Sequence, residues 1–423
     1  MKYMNGMLWL LRWTLGLLLL STSTAHAQHY TKPPVRTVAG FIQLDRANMA
    51  RDVRETLAVL RQIKQGMIDR GYEVQTVRIV TQPLAELVDG LSEAEALAFL
   101  KRFDDLAAAE GFAPNIGPAM LNDADDPRTM RLLAKALATL PNVQASAIIA
   151  NDDGIQWKVI RESAGLVRYV VDNSQADEST RTRNINFAAT AMLKPYSPYY
   201  PGAYHVGPGK QFSIGFESAN VVLEVFSRTK GDFDASVSAL SEQLSIHAKV
   251  AEAVGEQVAA ATGWGFQGID VTPAPTPRSE SSIGTAIERF TGAPFGSSGT
   301  MTASLAITTA VKAIPVRQAG YSGLMIPVME DGVIAERWAA GAIGMDDLLA
   351  YSAVCGTGLD TVPLPGDTSA EQLSRIFGDV AALAWKWKKP LSARLLPFRN
   401  LVAGDRTKVV STGLANTTIQ PLP

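Results

Sequence analysis

Residues 35–83 read VRTVAGFIQLDRANMARDVRETLAVLRQIKQGMIDRGYEVQTVRIVTQP, and the spacing of their apolar residues changes twice. From Val35 to Asp45 the run is rich in β-branched residues and ends in polar ones, which predicts a strand. From Met49 to Gly71 the apolar positions Val53, Leu57, Val59, Leu60, Ile63 and Met67 follow a helical period that stops at a glycine. The strand pattern then returns in YEVQTVRIVTQPL. Strand, helix, strand in this order implies an α/β fold with a largely parallel sheet, its strands buried on both faces.

Working outward, the alternation continues through LSEAEALAFLKRFDDLAAAEG as helix and APNIGPAML, NVQASAIIAN and RNINFAATAML as extended segments. Residues 194–218, KPYSPYYPGAYHVGPGKQFSIGFES, break the rhythm. Their density of proline, glycine and tyrosine predicts an ordered loop entering the strand QFSIGFE. Helix follows over Phe233–Ala261, then a long irregular stretch, TGWGFQGIDVTPAPTPRSESSIG. The rest reads as helix over Gly284–Phe290, a turn FGSSG, helix over Thr300–Ala313, a strand YSGLMIPVME and a helix MDDLLAYSAV. A Gly/Pro-rich loop CGTGLDTVPLPGD, a helix Ala370–Trp387 and a strand SARLLPF complete it. There is no repeat and no low-complexity linker, so residues 28–423 form one large domain in this reading.

The first thirty residues combine Lys2 and Arg12, an apolar core from Trp13 to Leu20, and the small-residue ending Ala25-His26-Ala27. That is the anatomy of a secretory signal peptide over residues 1–27, which implies a periplasmic or secreted protein. A retained N-terminal anchor is the rival reading of the same residues. Removing residues 1–27 takes Lys2 and Arg12 from 39 basic residues and leaves 41 acidic ones, a mature net charge of about −4 with histidine neutral. This charge gives no reason to expect a nucleic-acid partner, and no later apolar run approaches a membrane span. One cysteine allows no internal disulfide. A homo-oligomer is compatible with all of this.

Several Gly/Pro-rich loops carry polar residues: Asp270 in TGWGFQGIDVTPAP, His205 in PYYPGAYH, Glu217 in SIGFES, and Cys355, Asp360 and Asp367 in CGTGLDTVPLPGD. Converging carboxylates and an imidazole suit general acid/base chemistry, with His205, Glu217, Asp270 and Asp360 as candidates. Asp270, Asp360 and Asp367 could instead hold a divalent cation, Mg or Ca, through oxygen. The plain alternative is that each aspartate caps a turn or helix, Asp367 being the best placed to do so. Cys355 is either a nucleophile or a buried, unreactive thiol. Three or two histidines around a transition metal are nearly excluded, because only His29, His205 and His247 remain after residue 27, and His247 sits on an ordinary helix.

For substrate binding, Gly296, Ser297, Ser298 and Thr300 stand just before a helix, where free amides could receive an anion. Ser282 caps a second helix start of the same kind. Arg394, in the otherwise apolar LSARLLPF, needs a carboxylate partner, from protein or substrate.

Long blocks of the sequence resemble the DUF711 family, also called UPF0210: GWGFQGIDVTPAP, SIGTAIERFTGAPFGSSGT, AGYSGLMIPVMED and DDLLAYSAVCGTGLDTVPLPGD. VRTVAGFIQLD, EVQTVRIVTQP, NFAA and PYYPGAYH extend the resemblance over nearly the whole mature chain. It implies a fold related to the glycyl-radical and ribonucleotide-reductase enzymes, a ten-stranded α/β barrel with Cys355 on a loop near its centre. It implies no residue-by-residue catalytic assignment. The export signal is a departure from the family, and export argues against radical chemistry, which needs an activating enzyme.

The functional expectation is an exported hydrolase or lyase acting on a small polar substrate, anionic or polyhydroxylated. A periplasmic protein that binds a small molecule or a partner without chemistry is the alternative.

Overall fold

The computed structural model describes residues 31–174, 182–199, 202–411 and 413–422. The signal-peptide reading of residues 1–27 lies outside the described residues. The opening alternation is present: β1 (Val35–Ile42), α1 (Met49–Ile68), β2 (Val74–Pro83), α2 (Leu84–Leu87), α3 (Glu93–Glu110) and β3 (Ala113–Gly117). Then come α4 (Arg128–Thr139), β4 (Ala145–Asn151), the two-residue β5 (Gly154–Ile155), α5 (Trp157–Asn173), β6 (Phe187–Ala191) and β7 (Lys210–Phe216). After α6 (Ala219–Thr229) and α7 (Phe233–Thr262) the chain forms β8 (Gly265–Asp270), α8 (Ile283–Thr291) and α9 (Thr300–Lys312). It ends with α10 (Gly332–Ala339), α11 (Met345–Ser352), β9 (Gly358–Pro365), α12 (Ala370–Trp387) and β10 (Leu391–Phe398).

Local signals explain the boundaries. Ser92 and Glu95 form a reciprocal capping box that starts α3, and Ser369 with Gln372 does the same for α12. Asp232 caps the 30-residue α7 by accepting from Ala235 N.

The strands form two five-stranded sheets, ordered β3-β2-β1-β7-β8 and β5-β4-β6-β10-β9. A single ten-stranded barrel was the expectation; the described pairing is two sheets. Neighbours are parallel except at β1–β7, β6–β10 and β4–β5. Isolated bridges join the edges, Asn115 to Gln144 on one side and Pro327 to Asp360 on the other, with Ile269 to Gln318 beside β8.

Three sequence expectations change. GWGFQGID and GLDTVPLP, read as irregular loop, are strands β8 and β9. Both lie at a sheet edge, where proline's missing N–H and glycine's weak strand propensity are tolerated. YSGLMIPVME, read as a strand, is an irregular segment that touches β8 and β9 through single bridges.

The PYYPGAYH loop is not a surface excursion. Its described residues pack inward: Ala203 clusters with Ala39, Phe41 and Val80, and Tyr199 with Leu193, Ala274, Tyr321 and Met325. Asn115 Nδ2 donates to Ala203 O at 2.7 Å and Arg78 to Pro198 O at 3.3 Å, so polar strand residues hold this loop between the sheets.

Among the described residues no helix is long and apolar enough to cross a membrane.

Candidate functional site at the β8–β9 seam

Residues 317–331 run between β8 and β9 and meet buried charge at both ends. At the β8 end, Asp270 is fully buried and accepts from Tyr321 N (2.7 Å), Ser322 N (3.0 Å), Thr272 N (3.0 Å) and Thr272 Oγ1 (2.5 Å). Burial raises its pKa, and these four donors oppose the rise. Gly320 makes the approach feasible: its φ is +62°, and a β-carbon there would collide with Asp270 Oδ2. Asp270 therefore fixes the backbone of the 320–322 turn, and Thr272 Oγ1 extends the bracing by accepting from Gly323 N at 3.0 Å.

At the β9 end a bulge decides the geometry. Leu359 pairs with Ala393 and Val362 with Leu395, so Asp360 and Thr361 together oppose Arg394. Thr361 takes a left-handed φ of 44°, and its hydroxyl accepts from Met329 N at 3.2 Å. The bulge turns Asp360 toward Arg394, whose Nε donates to Asp360 Oδ1 at 2.6 Å. The other arm of the guanidinium donates to Glu330 Oε1 at 2.5 Å. Arg394 is 6% exposed and Asp360 8%, so this is a desolvated, charge-assisted pair of bonds. The tyrosine of the segment, Tyr321, is buried beside Ser392 and within the field of Asp360, Asp270 and Arg394. Burial raises its pKa, so it is protonated at neutral pH.

Thus Asp360 and Arg394 meet, and Asp270 lies near through Tyr321. Sequence reasoning missed Tyr321 and Glu330. The available signal was Arg394 itself: an arginine in an apolar strand demands a carboxylate, and Glu330 closes the apolar run LMIPVM.

The remaining expected residues lie elsewhere or serve their own elements. Asp367 is exposed, and the helix cap expected of it belongs to Ser369. Among the described residues no three His, Cys, Asp or Glu side chains gather as a metal site, so Asp270, Asp360 and Asp367 do not form the expected cation trio. Glu217 pairs with Arg36 at 3.1 Å; burial raises its pKa against the pull of Arg36.

His205 sits near the end of β2, its N donating to Thr81 O, whereas Glu217 N bonds Pro34 O before β1. The two side chains are therefore at opposite ends of the β1–β7 pair. The His205 ring contacts Tyr196 edge-on and its Nε2 lies 3.2 Å from Gly209 O, while burial lowers its pKa and keeps it neutral. His247, expected on an ordinary helix, is buried against Tyr72, its Nδ1 2.8 Å from the phenol oxygen, and burial lowers its pKa to about 4.

Ser282 donates to buried Asp331 (2.8 Å) and caps α8. At the start of α9, Gly296 N donates to Thr300 Oγ1 at 3.0 Å and Thr300 Oγ1 to Ser297 O at 2.8 Å, so Gly296, Ser297, Ser298 and Thr300 form a self-bonded turn. Cys355 is a free, buried thiol. Its carbonyl, with those of Ser352 and Ala353, accepts from Lys389 Nζ, which closes the end of α11. Gly356 behind it packs against Gly323, so the cysteine turn touches the seam through its backbone.

Comparison with known proteins agrees with the blocks quoted above. The family model described as "Uncharacterised ACR (DUF711)" matches residues 29–410. A UPF0210 protein of Pyrobaculum aerophilum is 32% identical over 349 residues, covering 79% of this chain and 76% of the relative. One from Desulforudis audaxviator is 30% identical, covering 80% and 77%. One from Leuconostoc mesenteroides is 27% identical, covering 87% and 84%. The chain belongs to the DUF711 (UPF0210) family.

Proposed function

We propose that this protein is an exported enzyme, a hydrolase or lyase, that acts on a small polar substrate at the β8–β9 seam. The observation that supports it best is the desolvated group Tyr321, Ser392, Arg394, Asp360 and Glu330, held on a segment whose backbone Asp270 fixes. Tyr321, kept protonated by burial, is the proton donor to a developing negative charge. Asp360 and Glu330 orient Arg394, and Asp270 is a positioning residue.

The same reading extends to the fold. Strands β1, β2, β3, β4 and β6 run one way, and β7, β8, β9 and β10 the other. The segment from Gln318 to Pro327, bridged in parallel to β8 and to β9, takes the place of a tenth strand. Together with the Asn115–Gln144 bridge this supports a reading of the two sheets as halves of one barrel, resembling the glycyl-radical-type fold, with chemistry of another kind. Export rests on the signal-like residues 1–27, and N-terminal sequencing of protein from the native cell tests it: a start at Gln28 supports cleavage, a start at Met1 opposes it.

The enzymatic reading is tested by incubating the mature protein with a panel of small phosphate esters, carboxylic esters, glycosides and hydroxy acids open to elimination. Turnover by the wild type, reduced about 100-fold or more in Tyr321→Phe with unchanged circular dichroism, supports it. No turnover on any class, or a Tyr321→Phe rate equal to the wild type, overturns it.

A further inference from the structure

Beside the seam, a cleft of about 360 Å³ opens where β6 ends and β10 begins. We propose that this cleft is a binding site for an oxyanion, the phosphate or carboxylate group of a small molecule. Its lining includes Lys194, Lys312 and Lys388, the side chains of Gln267 and Gln318, and the 319–322 turn, and contains no aspartate or glutamate.

Asp152 lies in the field of Lys194 and Lys388, and Asp270 acts on Lys312, so two carboxylates behind the lining offset three lysines only in part and the wall stays net positive, which favours an arriving anion. Their existing partners leave donors available. Lys194 pairs with Asp152 at 2.7 Å, outside the lining, and Lys388 stands 4.4 Å over the Trp385 ring. Lys312 makes one long bond, 3.4 Å to Tyr321 O. An ammonium has three donors, so this bond leaves two for a ligand. Gln318 Nε2 is committed to Val311 O and Ile314 O, which fixes its side chain at the rim.

The backbone is special here too. Met192, Tyr196 and Ser322 all line the cleft with left-handed φ of 55°, 68° and 40°, a costly arrangement for residues with side chains. Burial lowers the pKa of Lys312 against the pull of Asp270, and a bound anion would add to that pull.

As a statement of substrate class this rests on the enzymatic reading, because Tyr321 belongs to both the cleft and the seam. As a binding site it stands alone. The test is calorimetric titration of the mature protein with inorganic phosphate and with citrate, against sodium chloride at matched ionic strength. Lys312→Met should weaken binding about 10-fold or more, equivalent to about 1.4 kcal/mol, and Lys388→Met should weaken it in the same direction. Lys135→Met, altering a lysine paired with Glu93 elsewhere, should leave binding unchanged. Equal binding in Lys312→Met and wild type, or no binding beyond the chloride control, overturns the proposal. Binding without turnover on the substrate panel keeps this site and removes the enzymatic reading; turnover without oxyanion binding does the reverse.

Discussion

The two sheets meet along two seams, and the seams are made of different material. At β3–β4 the contact is backbone to backbone: Ile116 N donates to Gln144 O, Gln144 N to Pro114 O, Ala119 N to Ser146 O and Ile148 N to Met120 O. At β8–β9 backbone bonds are supplemented by side chains throughout, Asp270 and Thr272 at one end, Thr361, Arg394, Glu330 and Asp360 at the other. A ladder satisfies its own backbone N–H and C=O groups without recruiting charged side chains. An irregular segment must recruit side chains to satisfy its backbone, and that brings buried charge and hydroxyls into reach of the cleft.

If this contrast is right, substitutions at the two seams should differ sharply in cost. The largest effect is expected for Arg394→Met, which leaves buried Asp360 and part-buried Glu330 without their cation. We expect about 3–5 kcal/mol lost in urea unfolding; a loss under about 1 kcal/mol would mean that the pair is solvated. Next is Gly268→Ala in β8. Gly268 has φ +119°, and a β-carbon there would strike the Arg317 carbonyl, so about 1–3 kcal/mol should be lost and the Ile269–Gln318 contact disturbed.

A pH effect follows from Asp270. Its folded pKa is raised by burial above 3.8, so the native state holds this proton where the unfolded chain has released it. That contribution is fully present below 3.8 and is lost as pH rises through the folded pKa. The melting temperature of wild type relative to Asp270→Asn should therefore decline over that window, and an increase would contradict the assignment. The smallest effect belongs to the other seam. Ser146 is buried with no partner for its hydroxyl, so Ser146→Ala should change stability by no more than about 0.5 kcal/mol in the same urea experiment.

The same contrast explains what could be read in advance. β1, β2, β4 and β10 announce themselves through β-branched and apolar runs, and Ala370–Trp387 coincides with its predicted span. The β8–β9 seam did not, because edge position excuses Pro363, Pro365 and Gly268 from the usual strand preferences, and sequence does not reveal which strand is an edge. Asp360 and Arg394 were both legible as candidates; their pairing depends on a bulge at Asp360–Thr361 that no local pattern marks. Asp270 was legible as important, while its role as a brace appears only once Gly320 is seen against it.

Hydrogen exchange measured by mass spectrometry with and without saturating inorganic phosphate tests the central claim, that ligand is received at the irregular seam and its cleft. Phosphate should slow exchange in peptides covering 317–331 and leave those covering 113–121 and 144–151 unchanged. Protection confined to the β3–β4 seam, or absent from 317–331, would contradict it.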